Sequence, residues 1–475
     1  MMRDLIKGED ISFVYEDEKE PAIEGADFTA EEGKLIFITG KSGSGKSTLL
    51  NIINGIIPEV TEGELSGKLE VGGKKDLPIY EKSRILGNVF QNPRSQFFTT
   101  DTTAEMVFAM ENYGVGREEI SRRLDETVEE FNVGYLMDRD IFGMSSGERQ
   151  LLALLSVLIT KPDAVIFDEP SANLDYGNAM RLSKEIAELK KKGKTVVVAD
   201  HRCFYLRGII DEVWLVDGRS VRKFSSESEF LGSGYASRIT DIFDGDYGER
   251  EIQRGGERSV SVEDVSYKGI LEHLSVGFNK GEVTAVVGVN GAGKTTLAKL
   301  ISKAVKPDSG KIKTDDRVLY ILQEADFQLF GYSCMSELAI NCKDEDRNLK
   351  ALERLGLLPY KDKHPQMLSG GQKQRLQLAL ALVSDMGTVI LDEPTSGLDK
   401  ESMEMVADVI ETLKKECTVV VSTHDYEFIR KVADRVVFIR DKKIGEDFCL
   451  TKENIGKLNG IYREMEEFYE QQTQG

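Results

Sequence analysis

The strongest constraint on this chain is that it is written twice. Gly40-Lys41-Ser42-Gly43-Ser44-Gly45-Lys46-Ser47 recurs as Gly288-Val289-Asn290-Gly291-Ala292-Gly293-Lys294-Thr295. Val165-Ile166-Phe167-Asp168-Glu169-Pro170 recurs as Val389-Ile390-Leu391-Asp392-Glu393-Pro394. The run Val196–His201 recurs as Val419–His424. The blocks keep their order, so one domain has been duplicated in tandem. A length of 475 residues would by itself suggest about three domains; the repeat reduces that to two.

The copies differ by insertion. Lys46 and Asp168 are 122 residues apart, Lys294 and Asp392 only 98. Of the 24 extra residues in the first copy, sixteen precede Gln91 (matching Gln323) and eight lie between Gln91 and Ser145 (matching Ser369). From Ser145 to Asp168 and from Ser369 to Asp392 the spacing is 23 in both. Elaboration around a fixed spacing is expected of surface loops on a common core. The expected division is a first domain at 1–224, a linker at 225–257 rich in Ser, Gly and acidic residues, and a second domain at 258–475.

Short Val/Ile-rich runs alternate with charged, helix-forming stretches. Leu35–Thr39, Ala164–Phe167 and Thr195–Val198 read as buried parallel strands, and Gly177–Lys192 as an amphipathic crossover helix. This alternation predicts an α/β fold. Composition supports a globular chain: 40% of residues are apolar and 30% charged. The longest apolar run, Leu151–Ile159, is half of what a membrane span needs, and the N-terminus lacks a signal-type apolar segment. Five cysteines form no CxxC pair, which favours reduced cytosolic thiols over a disulfide framework or zinc. A net charge of −20 argues against nucleic-acid binding.

Each Gly-rich segment follows a strand and opens a helix, the context in which GxxxxGK[ST] is a phosphate loop. Glycines let the backbone N–H groups turn inward towards phosphate oxygens, and the helix N-terminus adds its dipole. The candidate phosphate-binding residues are Gly40, Lys41, Ser42, Gly43, Ser44, Gly45, Lys46, Ser47 and Thr48, with Gly288, Val289, Asn290, Gly291, Ala292, Gly293, Lys294, Thr295 and Thr296. Lys46 and Lys294 reach the β- and γ-phosphates, while Ser47 and Thr295 offer a hydroxyl to Mg²⁺. Asp168 and Asp392 end apolar strands and suit Mg²⁺. Glu169 and Glu393 follow them and are placed to polarise an attacking water. His201 and His424 end matching strands and are expected to contact the γ-phosphate.

Leu368-Ser369-Gly370-Gly371-Gln372 resembles the signature of ATP-binding-cassette (ABC) ATPases. The resemblance covers nearly the whole chain, once per half. It implies tandem P-loop cassettes, each with a mainly parallel sheet core, an antiparallel β-subdomain and a helical subdomain. It further implies a head-to-tail pairing within the chain, in which each P-loop meets the other cassette's signature over MgATP. Tyr15 and Tyr267 resemble the aromatic that stacks on adenine. Gln91 and Gln323 resemble the glutamine that touches Mg²⁺. Asp175 and Asp399 resemble the loop that crosses between cassettes. The first signature departs from the pattern, with Ser145 and Gly147 kept but Ser146 and Glu148 replacing Gly and Gln. A bulkier residue and a negative charge at an anion site predict two unequal sites, with the Lys294 site the slower.

Gln91–Phe98 and Gln323–Phe330 each carry a second Gln followed by apolar residues. They look like the segments of energy-coupling-factor importers of vitamins and metal ions that contact the membrane coupling protein. The resemblance thus implies a peripheral ATPase on the cytoplasmic face of the cell membrane. Its partners would be transmembrane coupling or permease subunits and a substrate-binding membrane subunit. A fused sugar-importer ATPase and, in a different class, a soluble ABC translation factor acting on ribosomes are the alternatives.

Overall fold

The computed structural model describes residues 3–172, 174–235, 256–314 and 317–474. The chain divides into two compact units, one formed chiefly by Met1–Leu174 and Asn178–Asp241, the other chiefly by Ile242–Phe468.

In the first unit a six-stranded sheet runs Ser220–Phe224, Glu212–Asp217, Leu35–Thr39, Thr195–Ala199, Ala164–Asp168, Leu86–Val89. All neighbours are parallel except the first pair, an antiparallel hairpin. Leu35–Thr39 and Thr195–Ala199 are buried along their whole length. They can therefore be apolar at every position, as strands covered on both faces must be. The helix expected over Gly177–Lys192 spans Tyr176–Lys191; Leu182, Ile186 and Leu189 on its apolar face are buried. A second, antiparallel sheet orders Ile23–Glu31, Asp4–Tyr15, Gly63–Val71 and Lys74–Lys75. Helices Thr102–Asn112, Arg117–Glu130 and Ser146–Leu158 make a helical subdomain around its own core of Met106, Met110, Leu136, Leu152 and Leu155.

The second unit repeats the plan. Its main sheet orders Val318–Ile321, Thr388–Asp392, Thr418–Ser422, Val283–Val287, Arg435–Arg440, Lys443–Cys449, with an antiparallel sheet of Leu271–Asn279, Arg258–Tyr267 and Ser309–Thr314. Its helical subdomain uses Cys334–Asn341, Glu345–Arg354 and Gly370–Val383. The insertions now have a location. The larger one forms the Lys74–Lys75 edge and the helix Ile79–Ile85. The smaller lengthens two subdomain helices, 11 and 14 residues against 8 and 10.

Part of the expected linker is folded. Ser226 caps a short helix, Glu227–Leu231, and Phe230 is buried against Phe224 with ring centroids 5.2 Å apart. The packed first unit thus runs past residue 224. Residues 236–255 of the expected linker lie outside the described residues. Among the described residues no helix is long and apolar enough to cross a membrane.

Candidate functional site

Each unit gathers its candidate residues at the carboxyl ends of the parallel strands, where open α/β sheets bind ligands. In both phosphate loops the glycines answer a steric need. Gly45 and Gly293 precede the helix in left-handed conformation, with φ of 105° and 103°. A Cβ on Gly40 would fall 2.4 Å from the Val216 carbonyl oxygen, and on Gly288 2.9 Å from that of Ile439. Over Gly43 and Gly291 there is nothing within 4 Å of that position, so both loops keep open space there.

In the first unit Lys46 Nζ donates to the carbonyls of Gly40 (3.0 Å) and Lys41 (3.1 Å) and lies 3.2 Å from His201 Nε2. The same Nε2 is 3.3 Å from Glu169 Oε1, and Gln91 Nε2 donates to Glu169 Oε2 at 2.7 Å. Ser47 Oγ donates to Asp168 Oδ1 at a long 3.4 Å. Burial, then the adjacent Glu169 charge, pushes the Asp168 carboxyl up to about 6. Burial also works against ionised Glu169, but the His201 hydrogen bond and charge, with Lys46, hold it below the ordinary range.

In the second unit Lys294 Nζ donates to the carbonyls of Gly288 (2.8 Å) and Val289 (3.3 Å). Thr295 Oγ1 and the Tyr320 hydroxyl each donate to Asp392 Oδ2 at 2.8 Å. His424 turns its other nitrogen, Nδ1, to Glu393 Oε1 at 3.0 Å. Burial opposes its charge, but the His424 charge and hydrogen bond hold Glu393 down to about 2. Glu169 and Glu393 both have positive φ, 44° and 47°. Their N–H groups are tied at 2.7 Å to the Ala199 and Ser422 carbonyls of the neighbouring strands. Such strain in a non-glycine residue persists only where surroundings enforce it, and it clusters at functional sites.

Buried polar atoms without a partner among the described residues include Ser44 Oγ, Asp392 Oδ1 and His424 Nε2. All three belong to the loops and strand ends just described. An orphaned buried polar atom is costly unless a ligand satisfies it. A triphosphate with Mg²⁺ fits this donor set: an N–H-lined loop and ammonium for phosphate, carboxylate and hydroxyl oxygens for a hard cation.

These geometries agree with the comparisons. The ABC transporter family pattern matches residues 23–172 and 271–396. A putative ABC transporter ATP-binding protein of Treponema denticola is 35% identical, over 94% of this chain and 97% of its own. The chain belongs to the ABC transporter family. It is an ATPase with two fused cassettes, and such ATPases use ATP with Mg²⁺. A putative HMP/thiamine import ATP-binding protein of Bacillus subtilis is 28% identical over 94% of this chain and 91% of its own. Among solved structures, an archaeal ribosome recycling factor in complex with a ribosomal stalk protein has a TM-score of 0.66. It is 23% identical and covers 95% of this chain and 92% of that one. That likeness shows the fold alone.

The two candidate signature segments are helix starts. Ser145 and Ser369 each cap a helix, accepting from the N–H three residues on, at 3.2 Å and 3.4 Å. Glu148 and Gln372 reach back to the capping residue's own N–H, at 2.7 Å and 3.0 Å. Glu148 therefore fills the structural place of the glutamine. Its charge is also paired, with Arg139 Nη1 at 2.7 Å. Burial opposes this, but the Ser145 N–H and Arg139 hold its carboxyl below the usual range. Gly370 and Gly371 have open space where a Cβ would stand, whereas a Cβ on Gly147 would meet Asn178 Oδ1 at 2.4 Å.

Tyr15 is half-buried, its hydroxyl 2.8 Å from Thr48 Oγ1; Tyr267 packs partly buried on the second core, under Lys268.

The second glutamines have an internal task. Gln96 accepts from the Phe90 N–H and donates to the Ala153 carbonyl. Gln328 accepts from Leu322 N–H and from Gln377, and donates to the Tyr320 carbonyl. Half-buried, they brace the segment to the helical subdomain. Among the exposed residues at and just beyond these segments are large aromatics: Phe98 and Phe330 are 75% exposed and Tyr332 is 91%. Two buried carboxylates, unnoticed in the sequence, hold these tips. Glu105 accepts from the Phe98 and Thr99 N–H groups, and Glu337 from those of Phe330 and Gly331. Both pairs, like Gln91 and Gln323, are 232 positions apart; that offset is the signal that would have found them.

Proposed function

We propose that this chain is the ATPase of a membrane importer of energy-coupling-factor type, which takes up a vitamin or a metal ion through separate membrane subunits. Carrying this reading is the doubled aromatic surface: Phe98 and Phe330 stand equally exposed at matching positions, just beyond glutamines tied to the catalytic ends of the sheets. Isolated apolar side chains on a surface need no explanation, but two copies on rigid tips suit a partner. The whole-length similarity to a putative thiamine-import ATPase supports the same class.

In each cassette the P-loop lysine (Lys46, Lys294) and loop N–H groups bind the phosphates. Tyr15 and Tyr267 stack on adenine. Ser47, Asp168 and Gln91, and in the second cassette Thr295, Asp392 and Gln323, would hold Mg²⁺. Bound there, the metal would supply positive charge against that developing on the phosphate oxygens. Glu169 and Glu393 orient the attacking water and take its proton. His201 and His424 fix those carboxylates and contact the γ-phosphate. Ser145 and Gly147 of one signature, and Ser369, Gly370, Gly371 and Gln372 of the other, close over ATP on the opposite P-loop when the cassettes pair. Reopening after hydrolysis moves the aromatic tips against the membrane partner.

Affinity capture of the tagged chain from gently solubilised membranes, followed by mass spectrometry, tests the reading. The expected catch is a coupling protein with one or more small substrate-binding membrane proteins. A ribosomal catch without membrane subunits overturns it in favour of a translation factor. A sugar permease pair would move it to the sugar-importer class.

A further inference from the structure

The two Mg²⁺-site carboxylates are not held alike. Asp392 Oδ2 receives two hydrogen bonds of 2.8 Å, from Thr295 Oγ1 and from the Tyr320 hydroxyl. An ionised carboxylate only accepts and a phenol at neutral pH donates, so the direction of the second bond is fixed. Two donors on one oxygen pin the carboxylate's rotation. They leave Oδ1, buried and without a partner among the described residues, as its remaining acceptor. Tyr320 itself is well seated. It lies on strand Val318–Ile321, in parallel register with Thr388–Asp392, its ring packed on the core and its carbonyl accepting from Gln328.

The matching position of the first cassette, 232 residues earlier, is Asn88. It sits on the equivalent strand in the equivalent register, but its amide is too short for the same task. Asn88 Nδ2 turns back to the carbonyl of Leu86, two residues earlier on its own strand, at 3.5 Å, and Oδ1 finds no partner among the described residues. Asp168 is left with the 3.4 Å contact from Ser47.

We propose that Tyr320 is a positioning residue of the Lys294 site, holding Asp392 in the orientation that receives the Mg²⁺ of bound ATP, and that Asn88 leaves Asp168 without this brace. The inference rests on the reading of Asp392 as a Mg²⁺-holding carboxylate. Groups that orient metal-holding residues commonly change metal affinity by about 10–100-fold when removed.

The test uses the full chain carrying Lys46→Ala, so that binding of a fluorescent ATP analogue reports the second site. Affinity is measured in EDTA and then across a Mg²⁺ series. Tyr320→Phe is expected to leave metal-free affinity unchanged and to raise the Mg²⁺ concentration for half-maximal gain by about 10-fold. An unchanged Mg²⁺ requirement overturns the inference. So does an equal weakening with and without metal, which would make Tyr320 a packing residue only. Asp392→Asn in the same background separates the two readings. If it removes the Mg²⁺ effect while Tyr320→Phe does not, only the Tyr320 inference fails. If neither variant alters the effect, the assignment of Asp392 fails with it.

Discussion

The Lys46 and Lys294 sites are copies that have drifted in their supports more than in their chemistry. At the Lys46 site one histidine nitrogen, Nε2, lies within reach of both the lysine and Glu169, and Gln91 holds the other glutamate oxygen. Lysine, histidine, glutamate and glutamine there form one connected network. At the Lys294 site the histidine uses Nδ1 for the glutamate, and its Nε2 has no partner among the described residues. There the aspartate is the strongly held group. The lesson is that duplicated sites can keep every candidate side chain and still differ in which one is fixed in advance, because the fixing groups come from the strands beside them.

The sharpest way to break this comparison is to remove each glutamate in turn. If Glu169 and Glu393 are the general bases proposed above, removing one costs about 10²–10⁴-fold at its own site. If the Lys294 site turns over more slowly, Glu169→Gln removes nearly all steady-state ATPase and Glu393→Gln leaves most of it. Equal losses in phosphate-release assays would show that the sites fire as one unit or contribute alike.

The aspartates should separate in stability. Asp168 is raised to about 6 in the folded protein by burial and the Glu169 charge, against about 3.9 for an unperturbed Asp. A raised acid disfavours the fold when ionised. The cost is absent below pH about 4, grows as pH rises, and is complete above about 6. Asp168→Asn removes it, so without Mg²⁺ the variant's first cassette should be more stable at pH 7.5, by at most about 3 kcal/mol. The gain should vanish near pH 4. Asp392→Asn instead weakens two charge-assisted hydrogen bonds and should lose about 2 kcal/mol. Paired thermal melts across pH check both; a loss for Asp168→Asn at neutral pH would contradict the burial argument.

A smaller effect belongs to Arg139. Glu148 beside the first signature is neutralised by it, so Arg139→Ala should leave that carboxylate without its counter-ion and slow ATP turnover by about 5-fold, about 1 kcal/mol, the scale of one ordinary net hydrogen bond. Arg139→Ala with Glu148→Gln should recover the rate. Failure of the double variant would place the defect in Arg139's packing.

Much of this was legible in sequence because repetition marks what both copies need. The Lys46–Asp168–Glu169–His201 set and its partner were found by matching blocks, and the parallel strands followed from apolar runs. Glu105, Glu337 and Tyr320 were not found, since a single Glu or Tyr in a helix or strand has no local pattern. Their roles come from tertiary approach to backbone N–H groups or to a carboxylate. That Gln96 and Gln328 turn inward was not legible either, for a related reason. A polar residue after a turn looks solvated, yet each side chain folds back to satisfy backbone groups that the turn would strand. The charge predicted to burden the first signature was real, but its counter-ion, Arg139, lies nine residues upstream and closes only in three dimensions.

The smallest difference tests the signatures directly. A methyl group on Gly147 would meet Asn178 Oδ1 at 2.4 Å, while Gly371 has nothing within 4 Å. Asn178 is itself buried, so its amide must shift to make room. Overpacking of this kind costs about 1–3 kcal/mol, partly offset by alanine's preference over glycine inside a helix, about 1 kcal/mol. Gly147→Ala should therefore be neutral to mildly destabilising for the first cassette. Gly371→Ala should be neutral to stabilising for the second, since the preference acts there unopposed. Nucleotide-free thermal melts measure this before any ATP can reach either signature. If both variants gained stability equally, the Asn178 contact would not constrain the first signature, and its departure would rest on Ser146 and Glu148 alone.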